Sequence, residues 1–205
     1  MATLLGSLAK GLLFIVSAPA GTGKTTLTER LVAEFPCVVQ SLSTTTRKPR
    51  GDEVEGVHYR FVTREQFLQE VEEGQFLEYA EVYGEYYGTH KKSVEQQRLS
   101  RKHVVLVIDT QGAELVRSNS EVVSIFIAPP SMEELRKRLE LRQTESQERI
   151  AERLKWAESE IKRAAEYEYF LINDDLEITY QVFRSIFVAE EHKCRYTLPK
   201  EQSHG

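Results

Sequence analysis

The stretch Leu12–Thr26 constrains this chain more than any other. Leu12–Ser17 is an apolar run too short for a helix, and it feeds directly into Ala18-Pro19-Ala20-Gly21-Thr22-Gly23-Lys24-Thr25-Thr26. The residues from Thr25 to Glu34 read as a helix that ends before Pro36. Strand, glycine-bearing turn and helix in this order match the P-loop pattern G-x-x-x-x-G-K-[ST], with Ala18 in place of the first glycine. The physical logic survives that replacement. Gly21 and Gly23 allow the backbone to curl so that successive N–H groups face phosphate oxygens, and the helix N-terminus adds positive potential at the same point. Lys24 supplies a point charge for the β and γ phosphates, and the Thr25 hydroxyl can ligate Mg²⁺. The stretch therefore predicts a cradle for a nucleoside triphosphate.

Four further apolar runs, Cys37–Gln40, Val104–Ile108, Val122–Ala128 and Tyr169–Ile172, are rich in Val, Ile, Leu or Phe and equally short. Strands buried on both faces of a parallel sheet read this way. Helical segments lie between them. Ser131 and Glu134 form a capping-box pattern after Pro129-Pro130, Thr144 and Gln147 open a longer helix towards Tyr167, and a last helix runs from Asp174 or Asp175 to about Glu191. The expected fold class is α/β: a P-loop NTPase-like core with a parallel sheet flanked by helices. The stretch from about Ser43 to Lys92 breaks the rhythm. It is polar and tyrosine-rich, with period-two pieces at Tyr59–Val62 and Phe76–Val82 and a helix begun by Thr63 and Gln66 and stopped by Gly74. It reads as a small β-rich insertion. Glu133–Glu168 is dense in i,i+4 acid–base pairs such as Glu134/Arg138 and reads as solvated helices.

The 205 residues suit one domain, expected here to span 1–205. A formal charge of −5 argues against a dedicated nucleic-acid binder. The two cysteines, Cys37 and Cys194, lack metal-ligand spacing and point to the reducing cytoplasm, without disulfides. No run approaches the ~18 apolar residues of a membrane span. Leu12–Val16 followed by Ala18-Pro19-Ala20 imitates a signal peptide, but it lacks the charged n-region and reads as a strand. His58, His90, His103, His192 and His204 have no ligand spacing and are expected at the surface.

A P-loop alone does not name the acceptor. The N-K-x-D base-reading motif of GTPases does not occur in the sequence. Beyond the loop come Ser41-Leu42-Ser43-Thr44-Thr45-Thr46-Arg47-Lys48-Pro49-Arg50, then Glu53, Gly56 and Tyr59, Phe76-Leu77-Glu78-Tyr79-Ala80 and Tyr86-Tyr87-Gly88-Thr89. Ile108-Asp109-Thr110-Gln111-Gly112, Ile127-Ala128-Pro129-Pro130-Ser131 and Asn173-Asp174-Asp175-Leu176 follow. In these residues, from about Leu12 to Val188, the chain resembles the bacterial-type guanylate kinases.

The resemblance implies transfer of the γ-phosphate of ATP, with Mg²⁺, to GMP, and small-molecule substrates rather than nucleic acid or membrane. It implies that Ala18–Thr26, Arg138 and Asn173 bind ATP. Ser43, Glu78 and Thr89 would hold the guanine base, while Arg47, Arg50, Tyr59 and Tyr87 would grip the GMP phosphate. Lys24, Arg47, Asp109, Arg142 and Arg153 would carry the transfer, Asp109 standing near the Mg²⁺ and the acceptor. The family architecture further implies a core of 10–42 and 93–205, a GMP-binding insertion at 43–92 and a helical lid at about 138–158. One departure is Val107 in Leu106-Val107-Ile108-Asp109, where the family commonly has L-D-I-D. A different nucleotide kinase and a catalytically silent interaction module are the alternatives. The base-site residues speak against the first, and the intact Lys24, Thr25 and arginines against the second.

Overall fold

The computed structural model describes residues 3–141 and 146–197. At its centre β1 (Leu13–Ser17) is buried along its whole length. Parallel partners lie on both sides of it, β7 (His103–Val107) and β8 (Val123–Ala128), with β2 (Val38–Gln40) and β9 (Tyr169–Ile172) at the edges, giving the order β2-β7-β1-β8-β9. Alternation along β1 divides the core. Phe14 and Val16 join Leu27 and Leu31 of α1 (Lys24–Glu34) and Phe183 and Phe187 of α7 (Leu176–Glu191). Leu13 and Ile15 face Val94 of α3 (Lys91–Leu99) and Ala113 and Val116 of α4 (Thr110–Asn119). Helices on both faces explain why the strands read as continuous apolar runs.

A second sheet of order β4-β3-β6-β5 is built from β3 (Ser43–Thr45), β4 (Arg60–Phe61), β5 (Phe76–Val82) and β6 (Glu85–His90). It lies within the stretch expected to be β-rich. Its helix α2 (Arg64–Glu72) is opened by the reciprocal Thr63/Gln66 capping box read from the sequence. Phe67 of α2 stacks on Phe76 and Tyr86, with ring centroids 4.5 and 5.3 Å apart, so the insertion has a small aromatic core of its own. The β5–β6 hairpin turns through Tyr83 and Gly84, both with left-handed φ, 53° and 81°.

The pair α5 (Met132–Leu141) and α6 (Gln147–Lys162) packs through Leu135, Leu139, Ile150, Leu154 and Ala157. The expected cap Thr144 lies outside the described residues; α6 begins at Gln147 and is capped by Ser146, whose hydroxyl accepts from the Arg149 N–H. The helix stops at Lys162 and a 3₁₀ turn, Ala164–Glu166, replaces its expected extension towards Tyr167. The Ser131 hydroxyl does accept from Glu134 N, but the Glu134 carboxylate turns to Arg138 Nε at 3.1 Å, so only half of that capping box forms.

One expectation fails outright: His103 is not at the surface. It is 1% exposed, and its Nδ1 accepts from Leu12 N at 3.0 Å while Nε2 faces Glu191 Oε2 at 2.5 Å. Because Nδ1 is an acceptor, the proton sits on Nε2 and the ring is neutral, in keeping with burial pushing its pKa down against the pull of Glu191. Burial would raise the Glu191 carboxyl, but the Ser7 hydroxyl and the N–H groups of Gly6 and Ser7, with His103, outweigh it and hold it low. Past α7, a single helical turn, α8 (Cys194–Thr197), carries Tyr196 back against the core.

Candidate active site

A cleft of about 1000 Å³ opens at the carboxyl ends of β1, β2 and β7, where ligands of open α/β sheets bind. Residues 19–26 form one wall. Ser43, Glu53 and Tyr59 come from the other side, and Val107 and Arg153 close it.

The loop wall is a local construction. Gly21 and Gly23 take φ of 90° and 93°, conformations that L side chains resist. At Gly23 there is a second reason for glycine, since a Cβ would come 2.5 Å from Asn173 Nδ2. That amide donates to Thr22 O at 2.6 Å, so the end of β9 braces the loop from behind. Neither a side-chain cap nor an acidic residue occupies the first turn of α1, which leaves its N–H groups to an anion. Lys24 Nζ donates to Ala18 O at 3.2 Å. Burial lowers its pKa, and the charges of Glu160 and Asp109 oppose that shift. Thr25 and Thr26 face the solvent side of the cleft. Behind the loop a smaller pocket of about 330 Å³ brings Arg138 and Asn173 together with Thr26 and Leu176, and Arg138 donates to Asn173 O at 2.9 Å.

From Ser43 in the opposite wall a row runs inward across the second sheet, to residues buried behind the cleft lining. Ser43 pairs with Thr89, and Thr89 with Glu78, so three strands set these side chains abreast. Glu78 is 5% exposed. Burial pushes its carboxyl up to about 7, the neighbouring Thr89 softens the shift and the charge of Asp109 adds to it. Glu78 Oε2 also lies so near Gly112 of α4 that a Cβ there would meet it at 2.5 Å. A glycine is required for that close approach.

Two residue pairs further along the same sheet, Thr45 opposes Tyr87 and leads into Arg47. Arg47 is buried and donates both terminal nitrogens to Glu53 at 2.8 Å, and its Nε to the Tyr87 hydroxyl at 3.2 Å. These bonds hold its guanidinium firmly charged, above the Tyr59 ring at 5.2 Å. Arg50 is exposed, and its backbone N–H is bound by Glu53. The sequence reading gave Glu53 no role; its place six residues after Arg47, next to Arg50, was the available signal.

Asp109 caps α4, with Oδ1 accepting from Gly112 N at 2.9 Å and Oδ2 from Gln111 Nε2 at 3.2 Å. Arg153 reaches the cleft from α6, whereas Arg142 lies outside the described residues. Glu160 is a second omission of the sequence reading. It follows Arg153 by two helical turns on α6, and burial pushes its carboxyl up to about 7, with Lys24 opposing and Asp109 adding. The spacing Arg153–Ala157–Glu160, one face of a helix, could have revealed it.

A parallel sheet, a P-loop at the end of its central strand and a cleft facing that loop define an α/β protein of the P-loop nucleotide-binding class. Residues 10–190 match the family model described as Guanylate kinase, and the chain belongs to that family. It is 54% identical over 184 residues to a guanylate kinase of Protochlamydia amoebophila, covering 90% of this chain and 93% of the relative. To one from Myxococcus xanthus it is 48% identical, covering 90% and 88%. A crystal structure of guanylate kinase from Anaplasma phagocytophilum superposes with a TM-score of 0.77 at 36% identity, covering 95% of this chain and 92% of that one.

Proposed function

We propose that this chain transfers the γ-phosphate of ATP to GMP, giving ADP and GDP, with Mg²⁺ accompanying ATP. The observation that carries the reading is that one cleft has a phosphate cradle along one wall and, in the other, Ser43, from which strand register leads through Thr89 to the buried carboxylate of Glu78.

On the donor side the N–H groups of Gly21–Thr25 and the Lys24 ammonium hold the phosphates, and the pocket of Arg138 and Asn173 receives the adenosine end. The Thr25 hydroxyl is the group that would hold Mg²⁺, a hard oxygen donor lining the cleft, and Asp109 is an acid near enough for its charge to act on Lys24. When bound, the ion neutralises charge on the donor phosphates. On the acceptor side Glu78 accepts from guanine N1–H and its 2-amino group, with Ser43 and Thr89 adding hydroxyl contacts. Arg47, Arg50, Tyr59 and Tyr87 bind the GMP phosphate. Glu53 fixes the Arg47 fork in advance, so little ordering remains when the phosphate arrives. Arg153 and Arg142 meet the transferring group when a lid of about 138–158 closes over the core of 10–42 and 93–205 and the insertion of 43–92. Closure also excludes water, which would otherwise take the phosphoryl group.

The test is ADP formation with GMP, AMP, UMP, CMP and dTMP as acceptors. GMP is expected to be preferred over AMP by about 10⁴-fold, because adenine offers Glu78 a lone pair where guanine offers a donor. Equal turnover of GMP and AMP, or none of either, overturns the reading.

A further inference from the structure

The tip of the β5–β6 hairpin breaks a local rule. Two-residue hairpin turns with left-handed φ at both positions favour Asn-Gly or Asp-Gly, and here the first position is Tyr83, φ 53°. An aromatic residue in that conformation is an outlier, and such strain persists where the surroundings repay it. The Tyr83 ring lies edge-on to Trp156 of α6, with centroids 5.6 Å apart and planes at 61°. Trp156 is the single tryptophan of the sequence and stays 37% exposed while Leu154 and Ala157 beside it fill the α5–α6 interface.

The ring pair bridges two parts of the molecule that carry different groups. Tyr83 ends the strand that holds Glu78, and Trp156 lies one helical turn beyond Arg153. At its base the same strand is seated on α4, where Glu78 meets Gly112. The hairpin is therefore held at both ends, by a close approach at its root and by two rings at its tip.

We propose that Tyr83 and Trp156 form a clasp that holds the hairpin against α6 whenever the lid is down on the insertion, as it is here, and so keeps the acceptor wall in register with Arg153. Both are positioning residues, acting through Glu78 and Arg153. The inference rests on the GMP kinase reading above, whose own test is turnover by the wild type.

Three variants test it: Tyr83→Asn, Trp156→Leu and the two combined. Asn suits the turn better than Tyr, so Tyr83→Asn is expected to keep or raise the melting temperature while opening the clasp. Each single change should lower kcat/KM for GMP by about 3- to 10-fold, the size of one aromatic pair, and leave the KM for ATP unchanged. The double variant should be no worse than the more affected single one, because both remove the same contact. Trp156→Phe should recover most of the loss. Unchanged kcat/KM for GMP in both single variants, or losses that multiply in the double, would overturn the clasp. Wild-type protein that turns over no GMP counts against the reaction instead. The clasp is then judged from Trp156 emission in nucleotide-free protein, which Tyr83→Asn must alter and which an unclasped hairpin would leave as it was.

Discussion

The proposed donor wall takes its loop groups from one unbroken stretch, Ala18 to Thr25, whereas the proposed acceptor wall collects Ser43, Glu78 and Thr89 from β3, β5 and β6. The first is specified by local backbone geometry and two glycines. The second exists only after a sheet has paired in the right register, and a one-residue slip would turn Glu78 to the opposite face. Their electrostatics differ as well. The loop presents N–H groups and an ammonium to an anion, while the acceptor wall keeps a carboxylate in a dry place at a cost to its ionisation. A site assembled from distant strands thus carries stability and recognition in the same residues, and a loop site can keep them apart.

The largest expected effect belongs to the side chain assigned to neither wall. Arg153→Ala should lower kcat by about 10³–10⁵ while leaving the Kd of each nucleotide alone nearly unchanged. A loss confined to the affinity for one nucleotide would place Arg153 in that wall. Next in size, Lys24→Ala should lower kcat by about 10²–10³ with the melting temperature held, since the lost bond to Ala18 O is offset by no longer burying an ammonium. A melting temperature that falls with activity would make the loop structural and erase the contrast.

Glu78→Gln sharpens the comparison, because it should move binding and stability in opposite directions. Replacing charge-assisted hydrogen bonds should raise the GMP KM by about 10- to 100-fold and spare the KM for ATP. The carboxyl is raised to about 7 by burial, so its contribution to stability is complete below its ordinary range near 4.5 and is lost as pH rises through 7. Chemical denaturation at pH 8 should therefore find Glu78→Gln more stable than wild type, by on the order of 3 kcal/mol. The same shift makes wild-type GMP affinity climb between pH 6 and 8, and the Gln variant should lack the Glu78 part of that climb. The smallest effect is expected at Val107. It is half-buried at the end of β7, and Val107→Asp should change kcat/KM by about twofold or less, whereas Asp109→Asn should damage it. A large gain from Val107→Asp would show that one acid is too few.

How far the sequence could be read follows the same divide. The five strands of the parallel sheet and the capped α2 were legible because each leaves a local trace, an apolar run or a Thr63/Gln66 pair. Besides the single turn α8, two helices were not. In α3 only Val94 is buried, so no apolar period appears, and α4 begins Thr-Gln-Gly because Gly112 must make room for Glu78. His103 looked like a surface histidine because its partner, Glu191, lies 88 positions away. Glu160 escaped for the same reason, and Glu53, only six residues from Arg47, because nothing in a loop sequence says which acid an arginine will meet. A charge has no periodicity, and the arginine or lysine that gives it meaning is brought near only by the fold.

The carboxylate at the end of α7 reaches beyond local packing. Glu191 receives the N–H groups of Gly6 and Ser7 and, through His103, is linked to the backbone of Leu12 at the start of the central strand. An early segment and a late helix are stitched together at the amino-terminal ends of the central strands, the side of the sheet away from the phosphate loop. Between residues 6 and 191 the described chain closes almost into a ring, the two being a hydrogen bond apart. That geometry makes the chain a natural subject for circular permutation: a short linker could join the two stitched segments, and new ends could open in an exposed turn such as Glu73-Gly74, with the central strand and its loop left uncut.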